Sequence, residues 1–204
     1  MDKNSYHTIE SASVAEFRDR GSRFIAYAYP LKDTHDFKEK LAALKKEHPK
    51  AVHHCFAYRL GFTGDVFRSS DDGEPSGTAG RPILGQIDSK GLTNVLIVVV
   101  RYFGGTLLGV PGLINAYKTV AADVLSSNPV IEKPVLEYFR LQYDYTRMNE
   151  VMRVVKHFDG VVVKQDMQLF CVLEVGVPKI SVELAVAKWK DMQGVEVGEM
   201  EGNT

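Results

Sequence analysis

The sequence predicts an α+β protein of two domains, and three observations carry the prediction. An apolar run from Val95 to Val100 reads as a strand buried on both faces. A helical pattern ends at Ser126-Ser127-Asn128-Pro129, where Pro129 and Pro134 bracket a short extended stretch that cannot continue a helix. Beyond it the elements follow the order β-α-β-β-α-β, the ferredoxin-like motif. The expected boundaries are a first domain over 1–128, a linker over 129–135 and a second domain over 136–204.

In chain order, Phe24 to Tyr29 reads as a strand paired with an earlier one spanning Tyr6 to Phe17. Asp33 to Lys46 is a helix: Asp33 or Thr34 caps it, Phe37, Leu41 and Leu44 recur at helical spacing, and Pro49 follows its end. Val52 to Leu60 is a strand, as is Asn94 to Val100. Leu113, Ala116, Tyr117, Val120, Ala121 and Val124 then trace one face of a closing helix. Past the linker, Leu136 to Tyr145 is a strand and Arg147 to Phe158 a helix that Gly160 terminates. Strands over Val161 to Lys164 and Leu169 to Val175 are joined by a turn at Gln165 to Gln168. A helix from Ser181 through Met192 and a strand over Val195 to Met200 close the pattern.

Composition narrows the function. The chain has 204 residues, 45% hydrophobic and 25% charged, which suits a globular protein and not a disordered one. Its formal net charge of −1 supplies no global field for nucleic acid, so any such binding needs a local patch. Cys55 and Cys171 lie far apart, which fits a reducing compartment without a disulfide framework. The polar N-terminus lacks a signal-peptide core and no apolar run is long enough to span a bilayer, so a cytoplasmic location is expected.

The segment from Arg68 to Pro82 packs three glycines, three serines, a threonine, three carboxylates and two arginines into fifteen positions. A helix through Ile83, Leu84 and Ile87 must begin just before Pro82, with Ser76 or Thr78 as its cap. The amides of Gly77 to Gly80 then point out of a helix N-terminus, where they can hold an anion. Alternatively the loop's own side chains satisfy them. A second cluster, Arg101-Tyr102-Phe103-Gly104-Gly105, ends the buried strand, and its glycines can bring backbone against a ligand. Arg101 can clamp a carboxylate or phosphate, or pair internally with Asp71 or Asp72.

Stricter motifs fail. Gly80 to Gly85 has the glycine spacing of a P-loop, but Gln86 and Ile87 stand where Lys and Ser/Thr are needed. His53 and Cys55 share one strand face while His54 points away, so at most two of them could hold one metal ion. Ser69, Ser70, Ser76, His53 and Asp71 are available for triad chemistry, yet nothing in the spacing fixes their geometry. In the second domain, Tyr138, Arg140 and Phe170 resemble a base-stacking platform if they share an open sheet face. A partly solvated sheet explains them as well.

Arg68 to Leu84, followed by Leu92-Thr93-Asn94-Val95 and Arg101 to Gly105, closely resembles the signature of the IMPACT/YigZ family. His53-His54-Cys55 with Ala57-Tyr58-Arg59 matches too, and the similarity runs from Ser22 to Leu125. The resemblance implies a first domain like the second domain of a small-subunit ribosomal protein. It also implies a ferredoxin-like second domain similar to the last domain of elongation factor G. Eukaryotic relatives act as translational regulators by competing for a partner of a stress kinase. Where many relatives carry a lysine and an arginine, this chain has Leu107 and Asn115, with Pro111 in place of a glycine; two cations are lost beside the presumed site.

The resulting expectation is a non-enzymatic, translation-related binding protein that contacts ribosome, RNA or a translation-regulating protein. Its site would comprise Arg68, Ser69, Ser70, Asp71, Asp72, Glu74, Ser76, Gly77, Thr78, Gly80, Arg81, Arg101, Gly104 and Gly105. No catalytic residue, metal or cofactor is assigned. The alternatives are a small hydrolase using the Ser/Asp/Glu-rich loop and a pure protein-interaction module.

Overall fold

A computed structural model describes residues 3–168 and 170–200 of the chain. They divide into two units: Tyr6–Lys133, and the residues after Lys133 together with those before Tyr6.

The first unit is organised by one strand. Its elements are β1 (Ser5–Ile9), β2 (Ser13–Asp19), β3 (Ser22–Pro30), α1 (Thr34–Glu47), β4 (His53–Leu60), β5 (Val66–Ser70), α2 (Gly80–Ser89), β6 (Val95–Tyr102), α3 (Gly109–Ser126) and β7 (Val130–Pro134). Antiparallel pairing gives a five-stranded sheet of order β2-β3-β6-β4-β5. Central β6 is buried on both faces, as its unbroken apolar run requires. Val95, Ile97 and Val99 meet α2 and α3, while Leu96, Val98 and Val100 meet α1. Asp33 caps α1 by accepting from the amides of His35 and Asp36, both at 2.8 Å.

Two expectations change here. The single strand over Tyr6 to Phe17 is two strands, because the chain breaks at Glu10 to Ala12. Asn128, just past α3, holds that break: its side-chain amide donates to Ser11 O and Ser13 Oγ. The stretch read as a linker, 129–135, carries β7, which pairs with β1 in a two-stranded ribbon.

The second unit contains β8 (Leu136–Asp144), α4 (Met148–His157), β9 (Val161–Met167), β10 (Phe170–Pro178), α5 (Val182–Lys190) and β11 (Val195–Met200). The β-α-β-β-α-β order closes into a sheet of order β11-β8-β10-β9 with antiparallel neighbours. Phe139, Leu141 and Tyr143 of β8 and Leu173 and Val175 of β10 pack against Val151, Val155 and Trp189 of the two helices. Asp159, at φ +52°, makes the left-handed turn after α4 that Gly160 was expected to make. β9 continues to Met167, so the expected turn at Gln165 to Gln168 is mostly strand. Leu169, the expected start of the next strand, lies outside the described residues, as do positions 201–204 of the second domain's expected span.

Gly104 marks the tightest crossing of the chain with itself. A Cβ there would lie 1.9 Å from the carbonyl carbon of Gly21, and the Gly104 amide donates to Ser22 Oγ at 3.2 Å. Of the glycine pair expected to admit a ligand, Gly104 admits the β2–β3 hairpin instead. Gly104→Ala is therefore expected to cost about 3 kcal/mol or more in urea unfolding, as an unrelieved overpacking. Gly85→Ala, inside α2 with open space about it, is expected to stabilise by about 0.5–1 kcal/mol in the same measurement.

Candidate functional site

The loop from β5 to α2 folds around its own carboxylate. Asp71 Oδ2 accepts from the Gly77 amide at 2.9 Å, and Oδ1 accepts from Ala79 at 3.0 Å and Gly80 at 2.8 Å. The remaining amide, Thr78, donates to Pro75 O at 3.1 Å, and the Thr78 hydroxyl donates there too at 2.7 Å. Every amide from Gly77 to Gly80 is thus taken. This corrects the anion-site reading: a tethered carboxylate already holds the helix N-terminus, and a second anion would meet its negative charge. It also corrects the cap, since neither Ser76 nor Thr78 caps α2. Partial burial pulls the Asp71 carboxyl upward, but the three amides outweigh it and hold it below its ordinary range.

Behind the loop lies a buried ion pair. Arg101 Nη1 donates to Glu74 Oε1 at 2.5 Å, with Arg101 5% and Glu74 8% exposed. The Tyr117 hydroxyl of α3 donates to the same oxygen at 2.8 Å. Arg101 Nη2 reaches Ser22 Oγ at 3.4 Å, and the guanidinium lies over the rings of Phe24 and Phe103 at 5.3 and 5.7 Å. His53 Nδ1 donates to Asp72 O at 2.8 Å, which leaves Nε2 facing Glu74 Oε2 at 3.8 Å. Cys55 donates its S–H to Asp71 O, and burial pushes both this thiol and the Tyr117 phenol upward. The expected internal partner of Arg101 was Asp71 or Asp72; it is Glu74. Ser22 and Tyr117 complete the network without any local sequence signal.

The other candidates disperse. Arg68 sits opposite Tyr58 and stacks over Phe56 at 5.8 Å, on the sheet face away from Arg101. Ser69, Ser76 and Arg81 are exposed, and Ser70 Oγ accepts from the Asp72 amide. Asp72 Oδ2 accepts from the His54 amide at 2.7 Å. Gly105, at φ +88°, faces open space. Both Asp71 oxygens are engaged by backbone amides.

On the second unit, Tyr138, Arg140 and Phe170 do share the open face of the sheet. Yet Tyr138 pairs with Gly176 and Phe170 with Asp144, about 20 Å apart along the strands. They do not form one stacking platform. The face also carries Asp144, Asp166, Glu174 and Glu196 against Arg140 and Lys164, a balance that repels a phosphate backbone.

What the first unit does offer is a cavity of about 360 Å³. Its floor is His53, Glu74 and Arg101, and its apolar wall includes Phe103, Leu107 and Val110. Because the Asp71 carboxyl titrates lower folded than unfolded, its stabilisation is present above about pH 4 and lost as pH falls through the folded value. Asp71→Asn is accordingly expected to cost about 1–2 kcal/mol at neutral pH and to flatten the acid limb of a stability–pH curve.

Comparison with known proteins places this architecture. The model of the Impact N-terminal domain matches residues 20–125. The IMPACT family member YigZ of Escherichia coli (strain K12) is 36% identical over 172 residues, covering 83% of this chain and 84% of that protein. A solved structure of a hypothetical protein, 30% identical, superposes with a TM-score of 0.77 and covers 98% of each chain. The structure of the two-domain translational regulator Yih1 is 26% identical over 63% of this chain and 49% of its own, with a TM-score of 0.36. The match to the domain over half the chain, joined to a bacterial relative aligned over most of its length, shows that the chain belongs to the IMPACT family.

Proposed function

We propose that this chain is a translation-related regulatory protein that works by binding a protein partner through the rim of the first-unit cavity. The observation that carries this reading is an exposed apolar series at the start of α3 and in the loop before it. Leu107 is 82% exposed, and Phe103, Val110 and Ile114 are exposed beside it. Apolar groups gathered at a concave site are suited to a partner's side chains, since covering them removes them from water. The amides of Gly77 to Gly80 and the Arg101 guanidinium are engaged internally, and the family resemblance puts Leu107 where many relatives have a cation. The likeness of the two units to a small-subunit ribosomal domain and to the last domain of elongation factor G belongs to this proposal. Its support is the ferredoxin-like strand order of the second unit.

Contact with ribosomal RNA is the competing reading, and salt separates the two. Sucrose-gradient sedimentation of native extract is expected to show association with translation fractions that persists from about 0.05 to 0.5 M salt. Leu107→Asp, a surface change that leaves the fold intact, is expected to weaken it at least about tenfold. Association that collapses with salt and ignores Leu107→Asp would point to phosphate contacts instead. Absence of association at every salt concentration would overturn the reading.

A further inference from the structure

β9 is the outer strand of the second unit's sheet, and the core of that unit does not cover it. All seven of its residues are exposed, and none joins the core cluster. Val163 and Met167 are 58% and 53% exposed, and Val161 and Val162 are exposed beside them. Seven residues without proline, carrying four large apolar side chains, form an edge of the kind that proteins ordinarily shorten, cover or charge. The two charges β9 does carry have opposite sign: Lys164 and Asp166, two residues apart, point to the same sheet face, opposite Glu174 and Val172.

We infer that β9 is a self-pairing edge through which two copies of this chain join antiparallel about Gln165, merging two four-stranded sheets into one. In that register Gln165 meets Gln165 of the second copy, and Lys164 meets Asp166 of the second copy. The two-fold axis repeats the charge pair on the other side, as an isologous contact requires. Val163 meets Met167 of the second copy, so the two most exposed apolar residues of β9 cover one another. Val163 is skipped in the pairing with β10, where the register shifts at a bulge. The neighbouring registers that keep the open faces continuous are disfavoured. A shift of two residues sets Lys164 against Lys164 of the second copy, or Asp166 against Asp166 of the second copy. The charge pattern thus selects one register and opposes the adjacent ones.

So short an interface predicts a dimer with a dissociation constant of about 1–100 µM. Sedimentation velocity of the full chain over about 1–500 µM is expected to show reversible dimerisation. Lys164→Asp, which places like charges opposite twice per dimer, is expected to weaken it at least about tenfold with an unchanged circular dichroism spectrum. The exchanged pair, Lys164→Asp with Asp166→Lys, is expected to restore the wild-type constant to within about threefold. A chain monomeric throughout, a dimer indifferent to Lys164→Asp, or an exchange that fails to restore association would each overturn the inference.

Discussion

The first unit depends on one buried charge pair, Glu74 with Arg101. Taking both groups out of water costs several kcal/mol each, and their attraction offsets that cost only when remaining polar atoms find partners. Tyr117 supplies one partner to the carboxylate and Ser22 one to the guanidinium. The pair therefore draws together the loop after β5, the end of β6, the third helix and the start of β3. Arg101 Nε remains without a partner, and the face of Phe24 beneath the guanidinium offers it only a weak substitute. An arrangement this exacting fixes the loop against the sheet and leaves little freedom for the glycines and serines around it.

That constraint changes the meaning of the glycine-rich segment. Read as a string, it has the makings of an anion cradle: small residues, a helix start and amides with no obvious use. In space it is an anion cradle, but the anion is Asp71. Gly80 lets the helix start approach β5, since a Cβ there would lie 2.7 Å from the Ser70 nitrogen. Gly104 does the same for the loop after β6. The conspicuous residues build the scaffold, and the proposed recognition surface is the apolar rim that Leu107 and Val110 form. Recognition there, as proposed, would rest on shape and burial more than on charge.

Much of this was legible in the sequence, for identifiable reasons. β6 announced itself because a strand buried on both faces must be apolar throughout. The ferredoxin-like order followed from helical and alternating patterns clear enough to survive errors at their ends. β5 was missed because an edge strand bearing Arg68, Ser69 and Ser70 has no apolar alternation to display. The break between β1 and β2 depends on Asn128, more than a hundred residues away, and carries no glycine or proline of its own. Asp71 escaped notice as a cap because it acts six to nine residues ahead of the amides it holds, outside the usual capping spacing. Glu74, not a neighbouring aspartate, reaches Arg101 because the turn at Asp72 and Gly73, both at positive φ, swings it inward.

The measurement closest to the heart of this account is a double-mutant cycle on the pair. Glu74→Gln, Arg101→Met and the combined variant would be compared with the wild type by urea unfolding. The account predicts single losses of about 3–5 kcal/mol, because each strands a buried charge, and a coupling above about 2 kcal/mol in the double variant. A coupling below about 0.5 kcal/mol would mean that the two groups act independently, and the pair would not be what anchors the loop.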